Sequence, residues 1–104
     1  MIKVNTIEMW ESCAEKQSSA ILYVGISSCE VCHAIKPKLD ELLKNYPEVE
    51  VFEVDLEEIP EISGAHLVFT VPAVILFYQG KEIYRASRFI DLKELEMRLK
   101  VEVG

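Results

Sequence analysis

No apolar run in this 104-residue chain is long enough to cross a bilayer, because charged residues interrupt each one well short of the ~20 residues a spanning helix needs. The opening stretch Met1-Ile2-Lys3-Val4-Asn5 lacks the continuous apolar segment of a secretory signal, so a cytoplasmic protein with no membrane partner is expected. Basic clusters are missing as well. Eleven Lys and Arg stand against eighteen Asp and Glu, a net charge of -7. Nucleic-acid binding rests on neutralising phosphates with cations, so nucleic acid is a poor partner. The acidity favours solubility and reads most simply as a solvated surface. Glycine and proline are scarce, four of each and scattered, with no repeat, low-complexity tract or linker between them. One domain spanning residues 1–104 follows, and a monomer is expected. With half its residues hydrophobic, the chain is too apolar for a disordered tail. Cysteines number only three, Cys13, Cys29 and Cys32, an odd count that does not make a secreted disulfide framework.

The apolar pattern divides the chain into alternating elements. Thr6 can cap a helix reaching about Lys16, on which Met9, Trp10 and Cys13 share a face. Trp10 and Cys13 are read as core, Cys13 as a buried structural thiol. Ala20 to Ile26 is unbroken and apolar on both alternate faces, as in a strand buried on both sides. From Cys29 to about Asn45 the period becomes helical, with Ile35, Leu39, Leu42 and Leu43 forming a stripe and Pro37 expected to bend the segment. Val49 to Leu56 reads as a second strand, and a short weak helix follows around Glu57 to His66. Pro72 introduces the apolar strand Ala73 to Tyr78, and proline is tolerated at such a first position. Gln79-Gly80-Lys81 signals a tight turn into Glu82 to Ala86, an antiparallel hairpin. Asp91 caps a last helix to Val101, and a short strand at Ile2 to Val4 is possible. Phe52, Phe69, Phe77 and Tyr78 are read as core or strand packing, and His66 as a surface or loop residue without a partner. Alternation of this kind gives an α/β fold, a mixed sheet of four to five strands flanked by helices on both faces.

The chemistry concentrates at Ser28-Cys29-Glu30-Val31-Cys32-His33, where the buried strand ends and a helix begins. A helix N-terminus presents unpaired N–H groups and about half a positive charge, which stabilises a thiolate. One helical turn brings the two sulfurs within bonding range. Cys29 is then the exposed nucleophile, and Cys32, one turn in, the more buried resolving thiol.

This segment resembles the active site of the thioredoxin family, here with Cys-Glu-Val-Cys. Pro37 stands eight residues after Cys29, where that family kinks the same helix. Val49 to Asp55, Val71-Pro72 with the strand behind it, and Gln79-Gly80-Lys81-Glu82 continue the resemblance over nearly the whole chain. It implies a thioredoxin fold and a cis bond before Pro72, facing the cysteines. It also implies that the Val71 backbone pairs with an extended substrate segment, a strand-like recognition tolerant of sequence. The implied activity is thiol–disulfide oxidoreduction on disulfide-containing proteins. No cofactor is required, and an upstream reductase or low-molecular-weight thiol regenerates the dithiol.

Several family positions differ. Glu30-Val31 replaces Gly-Pro between the cysteines, and Ser28 replaces the preceding tryptophan. Tyr23 stands where the family has a buried aspartate that assists the resolving thiol, and Val51 is taken as the position of its companion lysine. A phenol with an ordinary pKa near ~10 is no carboxylate base, so slower resolution is expected, with water or hydroxide taking the proton. Glu30 favours the helix dipole but repels a neighbouring thiolate, which makes the pair more reducing. His33, if protonated, could stabilise the Cys29 thiolate, although an exposed helix position is the plainer reading. Tyr23, Glu30, Val31 and His33 are therefore the candidate tuning residues.

Three other readings compete. Cys29-Glu30-Val31-Cys32-His33 fits a C-x-x-C-H haem attachment, but that chemistry belongs mostly to exported proteins and the surrounding strands do not suit a small helical cytochrome. A metal could take Cys29, Cys32 and His33, yet without a second C-x-x-C or a spaced His pair a structural zinc lacks its fourth ligand. A thioredoxin-like binding or adaptor module with little turnover is the serious alternative, motivated by the changed Asp and Trp positions.

Overall fold

In the computed structural model, which describes residues 1–103, the apolar run that follows Ser19 is the middle of a five-stranded sheet. The elements in chain order are β1 (Ile2–Lys3), α1 (Ile7–Lys16), β2 (Ser19–Gly25), α2 (Glu30–Leu43), β3 (Glu50–Asp55), α3 (Glu61–His66), β4 (Ala73–Tyr78), β5 (Lys81–Ser87) and α4 (Leu92–Glu102). The sheet order is β1-β3-β2-β4-β5. The β1/β3 and β3/β2 pairs are parallel, whereas β2/β4 and β4/β5 are antiparallel. This is the thioredoxin fold, a mixed sheet flanked by four helices.

Side chains alternate across a strand, so the fully buried β2 must feed two cores. Ala20, Leu22 and Val24 join Trp10, Phe52, Val54, Ile62 and Ile75 beneath α1 and α3. Ile21 and Tyr23 join Leu39, Leu43, Val51, Val74, Leu95 and Leu99 beneath α2 and α4. The helix starts follow local chemistry. Thr6 Oγ1 accepts from the Met9 N–H, and Asp91 accepts from the Lys93 and Glu94 N–H groups. Pro37 sits inside α2 and leaves the His33 carbonyl without its usual i+4 donor.

The hairpin turn uses Gln79 and Gly80, both at positive φ (51° and 80°), the twist that a two-residue hairpin connection requires. The short strand β1 is present, and the weak helix is confined to Glu61–His66 because its first residues form turns up to Pro60. Three packing expectations are corrected. Phe69 is 74% exposed, since it lies in the loop before Pro72 rather than in a strand. Cys13 is only half-buried, at the margin of the α1 core. His66 does have a partner: its Nε2 accepts the Trp10 indole N–H at 2.8 Å, between Trp10 and Phe77 rings packed edge-on or tilted.

Candidate active site

The C-terminal end of β2 delivers the chain to the site. Gly25 ends the strand, its carbonyl accepts from Leu56 N–H at 2.8 Å, and the turn through Ser27 and Ser28 closes when Cys29 N–H donates to Ile26 O at 3.1 Å. Gly25 has no side chain for a packing reason. A Cβ there would lie 3.1 Å from Cys32 Cβ and 3.3 Å from Cys32 Sγ.

Cys29 is the N-cap of α2, and its Sγ accepts the backbone N–H of Cys32 at 3.1 Å. Its thiolate would thus sit in the field of the helix N-terminus and in line with a real donor. Cys29 and Cys32 are joined as a disulfide, with Cα atoms 5.3 Å apart. Cys29 is half-buried, while Cys32 is only 4% exposed. Of the two sulfur-bearing residues, Cys29 is therefore the more accessible to an approaching group. Glu30, at the first position of the helix, is exposed, as is Ser28, and Val31 is 55% exposed.

His33 is exposed as well, and its Nε2 lies 2.7 Å from the Ser27 carbonyl, which holds the ring across the turn. Tyr23 is buried, and its hydroxyl donates to the Cys32 carbonyl. Burial, with the charge of Glu53 adding to it, pushes the Tyr23 phenol up to about 12, so it keeps its proton and serves as a strut. The residue opposite Tyr23 on β3 is Glu53, whereas Val51 lies opposite Ile21. The assignment of Val51 to that companion position is therefore corrected. Glu53 pairs with Lys36 of α2.

The bond between Val71 and Pro72 is cis. Pro72 is buried and Val71 half-buried, directly ahead of β4. The pairing of Ala73 with Val24 places this loop at the same end of the sheet as the cysteines, and Arg88 N–H donates to Pro72 O at 2.8 Å from the other side. A cleft of about 150 Å³ opens beside Cys32, lined by Tyr23, His33, Lys36, Glu53 and Asp55 among others. The geometry thus brings Cys29, Cys32, Tyr23, Glu30, Val31 and His33 to one end of the sheet, with Val71-Pro72 in the loop that enters the neighbouring strand β4. Glu53 and Lys36 are absent from the sequence-based set. A glutamate at an inward position of a strand was the one available signal. The larger cavity, of about 350 Å³, lies elsewhere, between Trp10, His66, Phe77 and the α1 residues Glu11 and Glu15.

The family model described as Thioredoxin matches residues 1–100. The chain is 30% identical over 100 residues to "Thioredoxin-like protein YdfQ" of Bacillus subtilis, covering 96% of this chain and 89% of that one. It is 27% identical over 93 residues to "Thioredoxin" of Chlamydia trachomatis, covering 88% of each. Among solved structures, Fasciola hepatica thioredoxin superposes with a TM-score of 0.86 at 25% identity, covering 98% of this chain and 99% of that one.

Proposed function

Since the chain belongs to the thioredoxin family and is a thiol–disulfide oxidoreductase, we propose that Cys29 and Cys32, within Cys-Glu-Val-Cys, are its redox centre and that it reduces protein disulfides. The observation that carries this reading is the unequal exposure of two bonded sulfurs at a helix N-terminus, one half-buried and donor-facing, the other 4% exposed. In the reduced protein, Cys29 attacks a substrate disulfide and forms a mixed disulfide. Cys32 attacks the Cys29 sulfur, releases the reduced substrate and leaves Cys29–Cys32 oxidised. The Val71 backbone pairs with the extended substrate segment beside the sulfurs, and Pro72 shapes the wall.

Glu30 and Val31 set the pair toward the reducing side, since a carboxylate in the first turn disfavours a neighbouring thiolate. His33 and Tyr23 hold the turn and the Cys32 carbonyl. Reductase partners and protein disulfides are what the family implies in general. In this reading the chain is one domain, works as a monomer in the cytoplasm and passes electrons from a reductase or a small thiol to its substrates. Among the described residues no helix is long and apolar enough to cross a membrane.

The test is reduction of insulin disulfides. Wild type turns over, Cys29→Ser loses all activity, and Cys32→Ser accumulates a covalent mixed disulfide visible by mass. A Cys32→Ser protein that traps nothing sinks the assignment of roles, and a wild type that binds but never turns over leaves a binding module. A redox titration against glutathione separates reductant from oxidant, and a potential near -120 mV would overturn the reducing assignment.

A further inference from the structure

A resolving thiol enclosed by protein has to lose a proton before it can attack, and the groups lining its cleft limit where that proton can go. Lys3 and Lys36 line the cleft as cations and Tyr23 keeps its own proton. The Tyr23 hydroxyl is committed to the Cys32 carbonyl, and the His33 ring is held at the Ser27 carbonyl. Two carboxylates remain, Glu53 and Asp55, and Asp55 Oδ1 accepts the Glu57 N–H at 2.8 Å in a local turn. Glu53 is left. It projects from β3 opposite Tyr23, its side chain is 23% exposed, and Lys36 holds its carboxylate.

Lys36 is four residues after Cys32 on α2. Side chains at that spacing lie one above the other, about 5–6 Å apart at Cβ. The ion pair therefore tethers the Glu53 carboxylate on the face of α2 that carries Cys32. The cleft of about 150 Å³ has room for a water between carboxylate and sulfur.

We propose that Glu53, positioned by Lys36, accepts the proton of the Cys32 thiol during resolution. This rests on the reading of Cys29 as attacking and Cys32 as resolving sulfur. The Cys32 S–H bond breaks and its proton passes, directly or through one water, to the Glu53 carboxylate. The Cys32 thiolate then attacks Cys29 sulfur. The bond between Cys29 and the substrate breaks, the Cys29–Cys32 bond forms, and the electron pair leaves on the substrate sulfur. That sulfur or solvent water takes the proton from Glu53. Two electrons pass from the dithiol to the substrate disulfide, and no further oxidant or reductant is needed.

The experiment mixes reduced protein carrying Cys13→Ser, so that only the two site thiols remain, with dithiobis(nitrobenzoate), which releases one thionitrobenzoate when Cys29 attacks and a second when Cys32 resolves. Glu53→Gln leaves the first phase unchanged and slows the second by roughly 100-fold at neutral pH, the low end of general-base catalysis. In that variant the second phase rises in proportion to hydroxide, whereas wild type does not follow hydroxide over the same range. Lys36→Met, which keeps the carboxylate and loses the tether, slows the second phase by a smaller factor, roughly 3- to 10-fold, and does not make it follow hydroxide, while Asp55→Asn stays within about threefold of wild type. Urea-unfolding curves that keep the wild-type cooperative transition show that the variants are folded. A Glu53→Gln second phase as fast as wild type overturns the proposal. So does a faster one, because a carboxylate acting only by repulsion would speed resolution when removed. A Lys36→Met second phase as slow as that of Glu53→Gln also overturns it, since loss of the ion pair alone would then explain the defect, and so does an Asp55→Asn defect in place of the Glu53 one. If wild type shows no second release at all, the reading of Cys32 fails first and the role of Glu53 with it.

Discussion

The two faces of β2 are covered by helices in the same way but packed for different purposes. Beneath α1 and α3, Leu22 and Val24 meet Trp10, Phe52 and Phe77, and the polar contact of Trp10 with His66 is satisfied within the layer. Beneath α2 and α4, the strand's outward succession is Ile21, Tyr23 and Gly25, and side-chain size falls away where Cys32 sits. The second face gives up packing at one end. In exchange it holds a disulfide, a phenol, an ion pair and a cleft. The contrast teaches that both faces of the strand supply core and only one of them gives up its end to reactivity.

The comparison is broken most severely on the aromatic face. Trp10 is 1% exposed and wedged between Phe52, His66 and Phe77. Trp10→Ala should cost about 3–5 kcal/mol in urea unfolding, since so large a void cannot collapse, while the rate of Cys29 attack in the protein that remains folded stays near wild type.

On the reactive face the disruptive change is an addition. Gly25→Ala places a methyl 3.1 Å from Cys32 Cβ, too close without movement of α2 or of the strand end. Overpacking of that kind costs about 1–3 kcal/mol. The same variant should slow the resolving step, read as accumulation of mixed disulfide in a quenched reaction. A Gly25→Ala protein with wild-type stability and resolution would show that this end of the face has slack to spare.

The smallest effect is a pH dependence confined to the aromatic face. Burial, then the positive charge of Arg85, hold His66 below the ordinary histidine value of 6.5, against the opposing charges of Glu82 and Glu11. Arg85 is anchored there, donating to the His66 carbonyl at 2.6 Å and pairing with Glu82. The folded state thus favours neutral His66, and below pH about 6.5 the unfolded chain binds the extra proton. Stability from this residue is present in full above that pH and is lost as pH falls through the lower folded value. Urea midpoints measured from pH 7.5 down to 5 should therefore fall more steeply for wild type than for His66→Gln. Parallel curves would remove His66 as the titrating group.

How much of this was legible in the chain depends on the range of the interaction. Ala20 to Ile26 announced a strand buried on both sides because each alternate position is apolar, and the structure buries all of Ser19–Gly25. Asp91 and Thr6 marked helix starts because a cap acts within three residues. Cys29 at the head of α2 was legible for the same reason. Phe69 was not, because a lone aromatic carries no sign of whether its loop turns it inward, and it is 74% exposed. His66 was not, because its partner Trp10 is 56 residues away. Val51 was misplaced because a shift of two residues along a strand keeps the same face, so the apolar pattern alone could not choose between Val51 and Glu53.

The amino-acid sequence by itself determined the order of elements, the burial of β2 and the seat of two cysteines at a strand-to-helix junction. All of these follow from spacings and caps that act over a few residues. Only the tertiary structure decided which β3 residue faces Tyr23, that Lys36 reaches across to Glu53, and that Gly25 leaves room for Cys32. Those outcomes depend on the register of one strand against another and on the seating of a helix over both, and neither is encoded by any local run of residues.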